Sequence, residues 1–538
     1  MNTQQPLTDG PAHCPKDGIQ ISSAIARWAL ELKIDMQLEN RLASDYILLT
    51  GATGLLGRYL LRDLLAKGLR VAIVVRPSKQ QTGAQRAEEI LQFWEATTQT
   101  PLPRPIVLEG DICKEGFGLD SADQAWIAAH CSSVIHSAAS LVFHADASGE
   151  PERTNIGGVK NMLQLCKQAG IREVHYISTA YVAGHREDLV YEADLVAGQG
   201  FNTDYEESKY NAELLVRGAD FIEDLTVYRP AVIAGDSKTG YTNTYHGLYV
   251  YLRLMSVLAR NTAPSPDGVR DTPVQFDMTG DENRNIVTVD WVSEVICHLV
   301  TSPAAHGRTY HLAPDKPLTP RSLIDAGFSY FNSRGVVFAG RGNEDRQPIS
   351  ELDRNAHENL GMYKKYEFCD PRFDLSNLRT YAGEIPCPVI DEAMLHRFLQ
   401  YGEDDRWGKR KGSYVSDYAC ISQRCEAVVV EPTAQPPAHL GQPTLIVNMR
   451  VVGVGGADLV LKLRAGALVA IERGASDQAI ASVELTSDDF WWYQERSAAF
   501  PWPRFGKCLT MHGSERDTDE HAVVLQQIGY ALFGSINQ

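Results

Sequence analysis

The stretch YILLTGATGLLGRYLLRDLLAK, residues 46–67, decides the fold. YILLT is a short apolar run that reads as a strand. Leu55–Lys67 repeats its apolar residues at helical spacing and reads as an amphipathic helix. Between them, Gly51, Gly54 and Gly57 form a GxxGxxG turn. In a strand-to-helix turn of this kind the first glycine permits the tight turn and the second lets the backbone approach a pyrophosphate. The third lets the helix pack closely on the strand. The helix start offers free N–H groups and the positive end of its dipole to phosphates. The candidate dinucleotide-contacting residues of this turn are Gly51, Thr53, Gly54, Leu55, Leu56 and Gly57.

Working outward, VAIVV, PIVLEGD, SSVIHSA, EVHYIST, LTVYRP and GRTYHLA are further short apolar runs separated by helical stretches. Continuous apolar runs imply strands buried on both faces, as in a parallel sheet covered by helices. The repeated βα order predicts an α/β, Rossmann-type doubly wound sheet. The second strand ends in Arg76, where an NAD-specific site would carry Asp or Glu for the ribose 2′-OH. Arg76 either meets a 2′-phosphate, which favours NADPH, or is a solvated strand-end charge. Asp111 and Ile112 end the third strand; Asp111 either accepts from an adenine amine or caps a turn. HSAAS follows the fourth, and its Ala138, Ala139 and Ser140 either let a cofactor lie against the backbone or simply turn the chain.

The catalytic pattern is YEESK. Tyr205 and Lys209, four residues apart, share one face if the segment is helical. A nearby ammonium would favour tyrosinate and lower the Tyr205 pKa toward neutral pH. Thr179, at the end of EVHYIST, carries a hydroxyl that either hydrogen-bonds a reacting carbonyl or is satisfied locally.

Taken in order, these motifs resemble the extended short-chain dehydrogenase/reductase superfamily over residues 45–400. The resemblance implies that Tyr205 is the general acid, that Lys209 binds the nicotinamide ribose, and that Thr179 orients the substrate carbonyl. It also places Pro230 and Val232 beside the nicotinamide. GATGLLGRYLLRDLL, STAYVAG, YRPAVIAGDSKTG, NIVTVDWV (with Val289 and Asp290) and CDPRFDLSNLR resemble the thioester reductase and fatty acyl-CoA reductase branch. That branch passes hydride from NADPH to an acyl thioester, giving an aldehyde or, after a second reduction, an alcohol. Sugar-nucleotide epimerases, hydroxysteroid dehydrogenases and ketone reductases share the same Thr/Tyr/Lys core. A dehydrogenase of a lipid alcohol or ketone therefore stays open, as does a lipid carrier with a degenerate reductase domain.

The 538 residues divide into a leader (1–44, with one helix over 21–42), a reductase domain (45–402), a linker (403–440) and an α+β domain (441–538). The leader is too short for an adenylation or carrier domain, so the thioester is expected on CoA or on a separate carrier protein. The linker gathers Pro and charge in EDDRWGKRKGS and EPTAQPPAHLGQPT. Residues 330–402 read as helix and loop. In the last domain, DLVLKLRAGALVAIERG, ASVELTSDDFWWYQ and GKCLTMHG resemble a sterol-carrier-protein domain. The resemblance implies a lipid ligand, with Trp491, Trp492, Tyr493 and Trp502 lining a tunnel or else packing a core. Ser487 is expected to cap the helix SDDFWWYQERSAAF, with Asp488 and Asp489 in its first turn.

The net charge of −17 disfavours nucleic acid and anionic membrane surfaces, and requires any phosphate site to be locally basic. The ten cysteines include no CxxC pair and read as reduced thiols, with no metal role. There is no secretory signal and no long apolar run, so the cytoplasm is the expected location.

Overall fold

The computed structural model describes residues 45–340, 347–360, 369–410, 418–429, 444–464, 467–495, 502–512, 524–525 and 527–534. The helix expected over 21–42 lies outside them. Seven strands form the main sheet: β1 (Tyr46–Thr50), β2 (Arg70–Val75), β3 (Ile106–Glu109), β4 (Cys131–His136), β5 (Glu173–Ile177), β6 (Asp224–Pro230) and β7 (Thr309–Leu312). Their order is β7-β6-β5-β4-β1-β2-β3, and every pairing is parallel. All five residues of β1 are buried, as a strand covered on both faces requires.

Helices α1 (Leu55–Ala66), α2 (Gly83–Thr98), α3 (Ser121–His130), α4 (Gly158–Ala169), α5 (Asp204–Arg217) and α6 (Val289–Val300) cover the two faces. α1, α2 and α6 share one core with Leu49 and Ile73; α3, α4 and α5 share the other with Leu48 and Val134. Leu60, Leu61 and Leu64 of α1 are fully buried, each worth about 1.5–3 kcal/mol relative to exposure. The chain runs from β1 outward to β3 and then returns to β4. That reversal makes a switch point between β1 and β4, where ligands of such sheets bind outside the carboxyl ends.

Helices α7 (Leu248–Asn261), α8 (Pro320–Phe331) and α9 (Glu392–Asp404) pack together through Leu252, Leu323, Met394 and Phe398. Two parallel strand pairs flank them: Val232–Ala234 with Ile286–Thr288, and Arg270–Phe276 with Ser333–Phe338. The last strand corrects the expectation that 330–402 holds only helix and loop.

The C-terminal sheet is separate and mixed: β8 (Leu445–Val452), β9 (Ala457–Arg464), β10 (Ala467–Arg473), β11 (Ala481–Thr486) and β12 (Leu509–Met511), ordered β10-β9-β8-β11-β12. β8 and β11 run parallel and the other pairs antiparallel. Its core buries Ile421 and Cys425 of helix α10 (Ile421–Glu426), so the stretch expected as a linker contains a packed helix. Helix α11 (Ser487–Glu495) starts at the residue expected to cap it, one position earlier than expected, and the capping hydroxyl comes from Thr486. The Thr486 hydroxyl accepts from the Asp489 N–H at 3.0 Å, while Ser487 donates to the Val452 carbonyl. Phe490, Tyr493, Phe505 and Phe533 pack with ring centroids 5.3–5.8 Å apart. Trp491 and Trp492 lie half-buried against that cluster. These aromatics therefore fill a core; the Trp502 side chain lies outside the described part.

Asp458 of β9 is buried against the domain built on the seven-stranded sheet. It accepts from the Tyr46 hydroxyl at 2.6 Å, pairs with Arg70, and lies 3.5 Å from Arg450. The indole N–H of Trp126 donates to the Arg473 carbonyl at 3.0 Å. Tyr46 and Arg70 open β1 and β2, so this contact sits at the amino ends of the sheet.

Candidate active site

The glycine turn is built as its sequence demands. Gly51 has φ +78°, and a Cβ there would lie 2.6 Å from the Ala138 nitrogen. A Cβ on Gly57 would lie 2.0 Å from the Gly51 carbonyl oxygen. At Gly54, the N-cap of α1, the nearest atom to an added Cβ is 3.4 Å away, which leaves room for a ligand. No side chain caps α1, and its first turn carries no acidic residue, so its N–H groups are left for an anion.

Helix α5 presents the YEESK pair. Thr203 caps it, accepting from the Glu206 N–H at 3.3 Å. Lys209 is buried; its ammonium donates to the Ile177 carbonyl at 2.7 Å and lies 4.7 Å from the Tyr176 ring centroid. Burial pushes Lys209 down to about 7, against the opposing pull of the Glu213 carboxylate. Tyr205 behaves differently from expectation. Burial pushes its phenol up to about 12; a hydrogen bond with Thr179 acts downward and the Glu206 charge upward. The expected lowering of Tyr205 by Lys209 is thus overturned here, because the ammonium is engaged by the Ile177 carbonyl and burial dominates the phenol. Thr179, itself buried, also accepts from the Tyr181 N–H at 3.3 Å.

Beneath the pair lies a buried polar layer. Glu213 binds Arg229 (2.7 Å), Arg217 (2.8 Å) and the Ser178 hydroxyl (2.6 Å), with Glu213 and Arg229 both fully buried. His136 closes the layer. Its Nδ1 sits 3.0 Å from the Thr50 hydroxyl, and burial, then the Lys209 charge, pushes it down to about 3.

A cavity of about 360 Å³ opens at the switch point. Gly51, Gly54, Leu55, Leu56, Gly57, Ala139, Thr179, Tyr205, Lys209, Pro230 and Val232 line it, so eleven of the sequence-derived candidates converge on one space. The others stand outside that lining. The Thr53 carbonyl accepts from Arg58 Nε (3.2 Å), the Ala138 N–H donates to Thr50 (3.3 Å) and the Ser140 N–H to Asn155 (2.8 Å). Asp111 caps its turn, accepting from the Cys113 N–H at 3.0 Å. Ile112 is buried with its Cδ1 against Gly158 of α4, so it packs the core.

Arg76 is exposed, and its carbonyl accepts from Arg86 at 2.5 Å. Burial, then the charges of Arg76 and Arg58, lower the Arg86 pKa. Three guanidinium groups therefore gather beside the glycine turn of an otherwise acidic chain. Arg58 and Arg86 escaped the sequence reading, as did the cavity's far wall of Phe276, Met278, Leu318, Ile324 and Phe338 and its polar Arg284 and Asp370. Asp370 accepts from the Tyr181 hydroxyl (2.9 Å) and the Asn285 N–H (2.7 Å), and burial raises its pKa.

Residues 49–296 match the family described as Male sterility protein. The matched stretch is similar to an NAD(P)-binding domain and holds the glycine turn, Thr179, Tyr205 and Lys209. The chain is 26% identical over 392 residues to aldehyde reductase lnaA of Aspergillus flavus, covering 66% of this chain and 36% of that protein. It is 28% identical over 387 residues to the isonitrile lipopeptide synthase of Streptomyces coeruleorubidus, covering 66% of this chain and 24% of that one. The chain thus spans about a third or less of these relatives' lengths. Among solved structures, the terminal R domain of the myxalamid PKS–NRPS pathway shares the fold, with TM-score 0.55, 24% identity, and coverage of 68% of this chain and 92% of that one. A thiolation–reductase di-domain of an archaeal non-ribosomal peptide synthetase does so too, with TM-score 0.53, 19% identity, and coverage of 69% and 79%. No helix among the described residues is long and apolar enough to cross a membrane.

Proposed function

We propose that the protein reduces an acyl thioester, carried on CoA or on a carrier-protein thiol, to an aldehyde or alcohol with NADPH. One observation carries the reading. Thr179, Tyr205 and Lys209 meet in a single cavity that begins at the uncapped start of α1 and ends in an apolar wall. The residues fit the cofactor: Gly54 leaves room for the pyrophosphate, and Arg58, Arg76 and Arg86 supply positive charge for a 2′-phosphate. When bound, NADPH supplies hydride to the thioester carbonyl carbon.

The chain's own residues handle the charge that follows. Thr179 and Tyr205 hydrogen-bond the carbonyl oxygen, which gains negative charge as the C=O bond opens. Tyr205 gives that oxygen its proton, forming a hemithioacetal on the substrate. Cleavage of the C–S bond then releases a thiol and leaves the aldehyde. Lys209 would hold the nicotinamide ribose beside Tyr205. Phe276, Met278, Ile324 and Phe338 suit a long acyl chain. Delivery on a carrier thiol is supported by the likeness to a thiolation–reductase di-domain and to a lipopeptide synthase.

The test follows NADPH oxidation and free thiol together, with a long-chain acyl-CoA and with the same acyl group on a carrier protein. Thiol release matched to NADPH loss, and abolished in Tyr205→Phe, is the expected result. Oxidation of a lipid alcohol, with no thiol release from any thioester, would overturn the reading.

A further inference from the structure

At the other end of the sheet the sequence places four metal-ligating side chains together. β5 opens Glu173-Val174-His175, and the period of two puts Glu173 and His175 on one face. β6 opens with Asp224, directly in register with Glu173. His306 lies in the turn that leads into β7. The ligating atoms of Glu173, His175 and His306 lie within 4.8 Å of one another.

Their hydrogen bonds fix what the site can take. His306 Nε2 sits 3.0 Å from the Val300 carbonyl, an acceptor, so Nε2 carries the proton. In the neutral ring, Nδ1 then presents a lone pair to two carboxylates, 3.6 Å from Asp224 and 3.9 Å from Glu173. A cation between the imidazole and the two carboxylates would satisfy all three groups. A proton would draw the pairs to about 2.7–3.2 Å. A tetrahedral ion with bonds of about 2.1 Å holds its ligand atoms about 3.4 Å apart, and the separations here run from 3.0 Å (His175 to Glu173) to 3.9 Å (His306 to Glu173). His175 Nδ1 is held at 3.0 Å by the Tyr228 hydroxyl, the kind of outer partner that orients a metal-ligating imidazole. Its Nε2 lies 3.0 Å from Glu173 and would release its proton on binding. Asp224 Oδ1 is buried with no hydrogen-bond partner among the described residues. Glu173 and Asp224 are each 37% exposed, so the site opens to solvent on its carboxylate side.

We propose that Glu173, His175 and His306, with Asp224 beside them, bind one divalent transition-metal ion of the zinc class. Two imidazoles and two carboxylates suit that ion in type and charge. The site ties β5, β6 and the turn before β7 together at their amino ends. Thr179 and the cavity lie past the carboxyl end of β5, so the ion is structural and takes no part in the reduction.

The test uses the full chain, stripped with chelator and titrated with zinc. The expected result is binding at one ion per chain and a Tm rise of at least ~2 °C. His306→Gln and Glu173→Gln should each lose both, while folding normally without metal. Cobalt(II) should give the visible bands of a tetrahedral nitrogen–oxygen site without a thiolate charge-transfer band, since nine free cysteines among the described residues offer a rival site. Absence of one-to-one binding, a thiolate band, or undiminished binding in both variants would overturn the proposal.

Discussion

Replacing Glu213 should damage the protein more than any surface change, and by an amount that follows from its surroundings. Glu213 and Arg229 are both 0% exposed. Oε1 accepts from Arg229 (2.7 Å) and Arg217 (2.8 Å), and Oε2 from the Ser178 hydroxyl (2.6 Å). Glu213→Ala would leave Arg229 with carbonyl partners such as Asp194 (2.7 Å) but no buried counter-charge. Removing one partner of a buried pair costs about 3–5 kcal/mol. Substituting both by apolar residues of similar size is often neutral, so Glu213→Met with Arg229→Met should regain most of the loss. The assay is the urea midpoint of each variant, converted through m. Burial alone would raise Glu213, but Arg229, Arg217 and Ser178 hold it below its ordinary 4.5. Its contribution is therefore complete above that value and fades as the pH falls below it. A Glu213→Ala loss under about 1 kcal/mol, or a double variant as weak as the single, would refute the reasoning.

Gly57→Ala should abolish cofactor binding, because its Cβ would fall 2.0 Å from the Gly51 carbonyl oxygen, a backbone atom; fluorescence titration with NADPH checks this. Burial holds Lys209 at about 7 in the folded chain against 10.5 unfolded, so the folded state binds fewer protons between those values. Stability from this group should rise with pH across that window, and Tm measured against pH should lose the rise in Lys209→Met. Asp458→Ala should lower the unfolding free energy, read from the urea midpoint through m, by about 3–5 kcal/mol by stranding Arg70 and Arg450 at the buried domain contact, with Asp458→Asn intermediate.

The sheet was legible because its signals are local. Apolar runs bounded by turns give the strands, and GxxGxxG gives the crossing from β1 to α1. The convergence of Tyr205 and Lys209 on one cavity was legible for the same reason, since four residues of helix bring one to the other. What stayed hidden depends on distant segments. Arg86 comes from α2 and reaches the end of β2 only through packing, so nothing near Arg76 in sequence announces it. Phe276, Met278 and Phe338 converge through the parallel pair of Arg270–Phe276 with Ser333–Phe338, joined across a long connection. The raised Tyr205 phenol shows the same limit, because spacing reveals a neighbouring Lys209 but not the burial that outweighs it. Helix α10 is six residues flanked by Pro-rich chain, too short for periodicity to show.

The position of the C-terminal domain changes what it can do for the proposed reduction. A lipid carrier beside the cavity would raise the effective concentration of acyl substrate there. Its contacts instead run through Asp458 to Tyr46 and Arg70, the first residues of β1 and β2, and through Arg473 to Trp126 of α3. The cavity begins past the other end of β1, at Gly51. Five residues of strand span about 16 Å, and the sheet with its helices stands between. A chain leaving the C-terminal core would have to pass around that barrier to reach Tyr205. The arrangement instead makes Tyr46 an anchored foot for β1. The strand whose far end sets the glycine turn is pinned at its start by a buried ion cluster, so the second domain braces the cofactor site from below.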